Sequence, residues 1–193
     1  MHIIVLGLYL LLAGVNLAFA GFDEGVEAYD AGDYPTALNE FRTAAEQGNA
    51  AAQFNVGLMY AQGWGVSRDY GEAAKWWRRA AEQGCAAAQY NLGVTYGDGR
   101  GVLQDDAEAV KWYRRAAEQG RARAQFNLGV MYYKGKGVTQ DYVQALMWLN
   151  LSGLFGATNA RESRDRVADK MTPAQIAEAQ KLAREWIENY QGQ

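Results

Sequence analysis

The chain has 193 residues, a formal net charge of −3, one histidine (His2) and one cysteine (Cys85). One histidine excludes an HExxH zinc site, and one cysteine excludes an intramolecular disulfide and Cys/His metal clusters. The mild acidity provides no basic footprint for nucleic acid, so neither a nucleic-acid partner nor a metal or cofactor is expected.

Residues 1–20, "MHIIVLGLYLLLAGVNLAFA", contain no Asp, Glu, Lys or Arg. The apolar run closes on Ala18-Phe19-Ala20, small residues at the positions a signal peptidase reads, and predicts a secretory signal peptide cleaved after Ala20. That implies a secreted or periplasmic protein with no stable membrane span once cleaved. An uncleaved anchor is the alternative, although the run is at the short end for a span. Cleavage would also remove His2, and with it every triad that needs histidine.

The stretch "AAEQG" begins at Ala44, Ala80 and Ala116, a spacing of 36 residues each time. A fixed period of this size marks a repeat array. The units run 49–84, 85–120 and 121–156, preceded by a divergent unit at 21–48 and followed by residues 157–193. In the divergent unit Asp33 is placed as a helix cap, and Pro35 falls in the first helical turn, where proline is tolerated.

Each full unit predicts two helices. The first carries stripes such as Ala52, Val56 and Tyr60, or Ala88, Leu92 and Tyr96, at helical spacing. Gly57, Gly93 and Gly129 lie inside these helices, where glycine costs roughly 1 kcal/mol against alanine. The offsetting benefit is expected to be close approach of a neighbouring helix backbone. The second helix opens at Asp69, Asp105 or Asp141, each followed three residues later by Glu72, Glu108 or Gln144, the spacing of a capping box. Trp76 or Trp77, Trp112 and Trp148 fall on its apolar stripe. Gly84 and Gly120 stand where a left-handed residue would end it.

Between the helices lie "GWGVSRD", "GRGVLQD" and "GKGVTQD". No strand precedes the G-x-G pair and no third glycine follows, so a nucleotide-binding reading fails. A tight turn between helices, with Val66, Val102 and Val138 tucked beneath it, is expected instead.

The last unit drifts into "LSGLFGATNARESRDRVADK", which predicts a helix over roughly Thr158–Lys170. Thr172 then caps a final helix. Its Ala174, Ile176, Ala177, Leu182 and Trp186 are expected to cover the end of the stack, with Lys181, Arg184 and Glu185 in water.

The pattern A-x-A-Q-[FY]-N-[VL]-G-x-x-Y, then G-x-G-V-x-x-D, then A-x-x-W and A-A-E-Q-G, resembles the Sel1-like repeat family, a relative of the tetratricopeptide repeat. The resemblance covers Asn49–Gly156, and residues 21–48 look closer to a plain tetratricopeptide unit. It implies an all-α, right-handed α-solenoid of stacked antiparallel helix pairs with a C-terminal capping helix pair. It also implies a non-enzymatic, monomeric adaptor binding a peptide or partner protein in a concave groove lined by the first helices.

On that resemblance Asn55, Asn91 and Asn127 project toward the groove, as a ladder of amides able to hold a peptide backbone. Tying the helix to a neighbouring element is their structural alternative. Phe54, Tyr90, Phe126, Arg123 and Lys134 share the register, which makes the groove apolar early and basic late. Trp64 occupies a loop position held elsewhere by Arg100 and Lys136, and is expected to be an exposed contact residue. Arg78, Arg79, Arg114 and Arg115 form a basic strip on the second helices, where cations also favour the helix dipole.

Some secreted, cysteine-rich members of the family are linked to penicillin binding and β-lactam hydrolysis. An alternative reading is therefore a cell-envelope hydrolase, with Asp98 and Asp106 as carboxylates for glycan chemistry. The chain departs from those members in having no paired cysteines and no Ser-x-x-Lys motif.

Overall fold

The computed structural model describes residues 21–157 and 160–191. The proposed signal peptide lies outside the described residues. The described chain is helical, with no strand, and divides between Ala88 and Gln89 into two compact units.

The first unit holds α1 (residues 21–30), α2 (Tyr34–Glu46), α3 (Ala50–Gln62) and α4 (Tyr70–Glu82). Helix α2 packs on α3, and α3 on α4. Ala37, Phe41, Ala52, Val56, Met59 and Trp76 form its core. From α5 (Ala86–Asp98) onward, the second unit holds α6 (Asp106–Glu118), α7 (Ala122–Lys134), α8 (Tyr142–Leu154), α9 (Ala160–Ala168) and α10 (Pro173–Gln191). Within it α6 packs on α7 and α7 on α8, and both α9 and α10 pack on α8. Its core includes Ala109, Tyr113, Leu128, Leu149 and Val167. Each unit is thus a run of packed adjacent helices, the architecture of an α-solenoid.

Helix ends follow from specific side chains. Asp69 Oδ1 accepts from the main-chain amides of Gly71 (2.8 Å) and Glu72 (3.0 Å), and Asp105 does the same for Ala107 and Glu108. Each cap contributes on the order of 1 kcal/mol. The reciprocal half of the expected box does not form at either aspartate. The cap's own amide donates instead to the preceding helix, Asp69 to Tyr60 O (2.9 Å) and Asp105 to Tyr96 O (3.0 Å). Glu72 and Glu108 are thereby released to pair with Lys75 and Lys111. A two-way box does close at α10, where Thr172 N donates to Gln175 Oε1 (2.9 Å) and Gln175 N to Thr172 Oγ1 (3.3 Å).

The glycine stops at Gly84 and Gly120 have φ of +93° and +77°, the left-handed conformation that needs no Cβ. Gly156 keeps the same stop at φ +97° although the sequence before it has drifted.

The helix-interior glycines do make room, but chiefly for side chains rather than for a neighbouring backbone. A Cβ on Gly57 would lie 2.5 Å from the Trp77 ring, and one on Gly93 would strike the Tyr113 ring. Only Gly129 also meets backbone, the carbonyl oxygen of Ala145, beside Leu149. The second loop glycine is the true backbone contact. A Cβ on Gly65 would sit 2.5 Å from the carbonyl oxygen of Tyr34, and one on Gly137 would strike that of Asp106.

Two C-terminal expectations shift. Helix α9 ends at Ala168, two residues short of Lys170, and residues 158–159, where its start is expected, are outside the described set. On α10 the buried alanines are Ala179 and Ala183, whereas Ala174 and Ala177 are exposed. Ile176, Leu182 and Trp186 do pack against the core.

Candidate functional site

The faces of the first helices hold the candidate residues, and a glutamine ladder fixes those helices in place. Gln53 is buried and donates through Nε2 to Ala45 O (3.0 Å), while its Oε1 accepts from Gln83 Nε2 (2.7 Å). Gln119 Nε2 donates in the same way to Gln89 Oε1 (2.7 Å), and Gln125 Nε2 to Ala117 O (3.1 Å). These are the glutamines of "AxAQ" and "AAEQG"; the glutamine–glutamine bonds lie within one unit of the repeat, and the bonds to Ala45 O and Ala117 O tie a pentapeptide to the unit that follows it. The third unit has Phe155 where Gln83 and Gln119 stand, and Gln125 Oε1 is left buried without a partner.

The same replacement shapes a pocket of about 630 Å³ in the second unit. Tyr90 from α5, Arg123, Phe126 and Asn127 from α7, and Phe155 at the end of α8 all line it. Arg121 stands over the Tyr90 ring at 5.9 Å. Phe126 also borders a second pocket of about 230 Å³, shared with Val130, Lys134, Ser163 and Arg166. Arg166 is paired with Glu162 (2.7 Å), whereas Arg123 and Lys134 are exposed and belong to no ion pair among the described residues. In the first unit Asn55 lines a smaller pocket of about 250 Å³ with Tyr29, Phe41, Leu58 and Met59.

The candidates named from the sequence are therefore brought together unevenly. Tyr90, Arg123, Phe126 and Asn127 share one pocket, and Lys134 lies further along the same face of α7. Asn55 borders a separate apolar pocket. Asn91 is half-buried and lines none of these pockets, and its main-chain oxygen accepts from Thr95 Oγ1 (2.7 Å). Phe54 is half-buried and offers its main-chain oxygen to Trp77 Nε1 (3.3 Å). Asn127 faces the Tyr113 hydroxyl as well as the pocket. Burial of that phenol pushes its pKa above the ordinary tyrosine range, and the nearby Asn127 side chain offsets only part of the shift.

Trp64 is not the exposed indole expected. It is half-buried, stacked on Tyr34 (centroids 5.6 Å apart, 14° between planes) and set edge-on to Tyr29. Two aromatic neighbours from α1 and α2 supply a packing surface that a charged residue in the same loop would not use. Phe155 was missed because it lies where the repeat pattern breaks, and that break was the available signal.

The strip on the second helices is held in place by stacking. Arg79 lies over Trp76 (4.5 Å) and Arg115 over Trp112 (4.8 Å), both indoles being buried. Arg114 donates to the Tyr132 hydroxyl (2.5 Å). The carboxylates considered for glycan chemistry are likewise engaged, Asp98 with Arg100 (3.1 Å) and Asp106 with Lys136 (3.0 Å). Among the described residues no group of three or more His, Cys, Asp or Glu could hold a metal ion, and no helix is long and apolar enough to cross a membrane.

The Sel1 repeat model matches residues 50–85, 86–120 and 122–153. Among solved structures, the chain is similar to c5321, a protective antigen of uropathogenic Escherichia coli strains displaying an SLR fold. The identity is 39% and the TM-score 0.72, over 80% of this chain and 33% of that one. This chain thus spans about a third of the antigen's length. It is also similar to a Sel1 repeat protein from Oxalobacter formigenes, at 34% identity and a TM-score of 0.72, over 86% of this chain and 69% of the other. Helicobacter pylori cysteine rich protein B shares the fold at 21% identity and a TM-score of 0.52, over 64% of this chain and 93% of that one. No curated protein matches the chain.

Proposed function

The chain belongs to the Sel1 repeat family, whose members serve generally in protein–protein interaction, and from that premise we propose that it is an exported, monomeric, non-enzymatic adaptor. Its partner is a peptide or protein segment held on the asparagine-bearing faces of the first helices. The observation that carries this reading is the pocket of about 630 Å³ in which Tyr90, Arg123, Phe126 and Asn127 meet. It combines aromatic walls, an amide and a free cation, the mixture that suits a peptide better than a small apolar ligand. Export rests on the uncharged, apolar residues 1–20 and the Ala18-Phe19-Ala20 ending.

A pull-down from envelope extract tests the binding face. The full chain is compared with an Asn55→Ala/Asn91→Ala/Asn127→Ala variant whose helicity and melting are followed in parallel. A partner lost by a well-folded variant supports the reading, and a partner retained by it moves binding to another face. Amino-terminal sequencing of protein recovered from the producing cell tests export. A start at Gly21 is expected, and an intact Met1 would overturn cleavage.

A further inference from the structure

The partner's chemistry can be narrowed, on the reading that the first-helix faces bind peptide. Arg123, Phe126, Asn127, Val130 and Lys134 follow one another along a single face of α7. Phe126 borders both pockets of that face, so they adjoin across its ring. No Asp or Glu lines either pocket, although the chain as a whole carries a net charge of −3. The cations are thus concentrated against the overall charge. Arg123 and Lys134 are exposed with no acidic partner among the described residues, while Arg166 beside them is already matched by Glu162.

We propose that this face of α7 takes an acidic peptide segment in extended form, with one large apolar side chain among Tyr90, Phe126 and Phe155 and a carboxylate at each end. The spacing follows from helix geometry. Eleven positions separate Arg123 from Lys134, about 16 Å at 1.5 Å per residue. An extended peptide covers that distance in about five residues at roughly 3.3 Å each. The fork of Arg123 can take one carboxylate in bidentate fashion, and Lys134 the other as a point charge. Asn127 stands between them with an amide suited to peptide main chain.

The test is selection of peptides from a displayed random library on the full chain, followed by fluorescence anisotropy with labelled winners and their Glu→Gln and Asp→Asn counterparts. The expected winners carry two acidic residues about five apart around an aromatic or large aliphatic residue. Their affinity should fall at least about tenfold in Arg123→Glu or Lys134→Glu, and should weaken as salt is raised. Both positions are exposed, so the folded state should survive, with circular dichroism as the check. Winners that are neutral or basic, yet are lost on Asn127→Ala, would overturn the acidic partner and leave the first-helix reading standing. Winners that survive every α7 substitution, or no enrichment at all, would overturn both.

Discussion

Gln83 reaches back thirty residues to donate its side-chain amide to Gln53 at 2.7 Å, and Gln53 in turn donates to Ala45 O at 3.0 Å. Two polar side chains thereby close a chain of bonds within the first unit. For the buried Gln53 the pairing matters mainly because a buried group left unpaired costs about 1–3 kcal/mol, whereas Gln83 is exposed.

Gln53→Leu removes two side-chain hydrogen bonds at once, the one to Ala45 O and the one from Gln83, and should destabilise the protein by about 1–3 kcal/mol, although Ala45 O keeps the Gly48 amide (3.0 Å) and Gln83 is exposed. Gln125→Leu should cost less, because Gln125 Oε1 has no partner to lose. Chemical denaturation of the two variants side by side checks the order, and equal losses would refute it.

The helix glycines should respond with opposite signs. Gly93→Ala drives a Cβ into the Tyr113 ring and should lower stability. At Gly97 a Cβ would meet only Ala109 Cβ at 3.8 Å and Tyr113 Oη at 3.9 Å. Gly97→Ala should therefore stabilise by about 0.5–1 kcal/mol through helix propensity and a less flexible unfolded chain. Thermal melts of both variants decide the matter.

At α6 the cap and its companion separate. Asp105→Ala should cost about 1 kcal/mol, since two main-chain amides lose their acceptor. Glu108→Gln should fall within about 0.5 kcal/mol, because Glu108 makes an exposed pair with Lys111 and a bond from Trp112 Nε1 that a glutamine oxygen can replace. A comparable loss in both would mean that the capping box does close in solution.

Tyr113 should make stability depend on alkaline pH. Burial raises its pKa above the ordinary 10.0, so the unfolded state gives up the proton first as pH rises. The unfolded state then binds fewer protons than the folded one, and stability falls. The contribution is intact below about pH 10 and declines above it. Unfolding midpoints across that range should drop less steeply in Tyr113→Phe than in the parent.

Much of the fold was legible because its signals are local. A cap such as Asp69, a stop such as Gly84 and the 36-residue spacing each act within a few residues of themselves or repeat in register. What fills the space over Gly57 was not legible, since a small residue announces room without naming its occupant, and the Trp77 ring lies on another helix. The register of α10 was misread at Ala174 and Ala177 for a related reason. Alanine favours helix on either face and carries no side information, whereas Ile176, Leu182 and Trp186 pointed the right way. The site was half legible: Tyr90, Arg123, Phe126 and Asn127 converge as their register implied, while Phe155 entered through a lapse in the pattern. Trp64 found two aromatic neighbours that its own loop could not reveal.

The seat of Gly65 against Tyr34, and of Gly137 against Asp106, joins atoms that every residue type possesses. A joint written in main chain is indifferent to the side chains around it. The loop position preceding the seated glycine can therefore hold Trp64 in one case and Lys136 in the other without changing that joint. The fold thus writes this joint in an alphabet separate from its side chains, and the neighbouring position can diversify, here to a half-buried indole and an exposed lysine, while the joint stays the same.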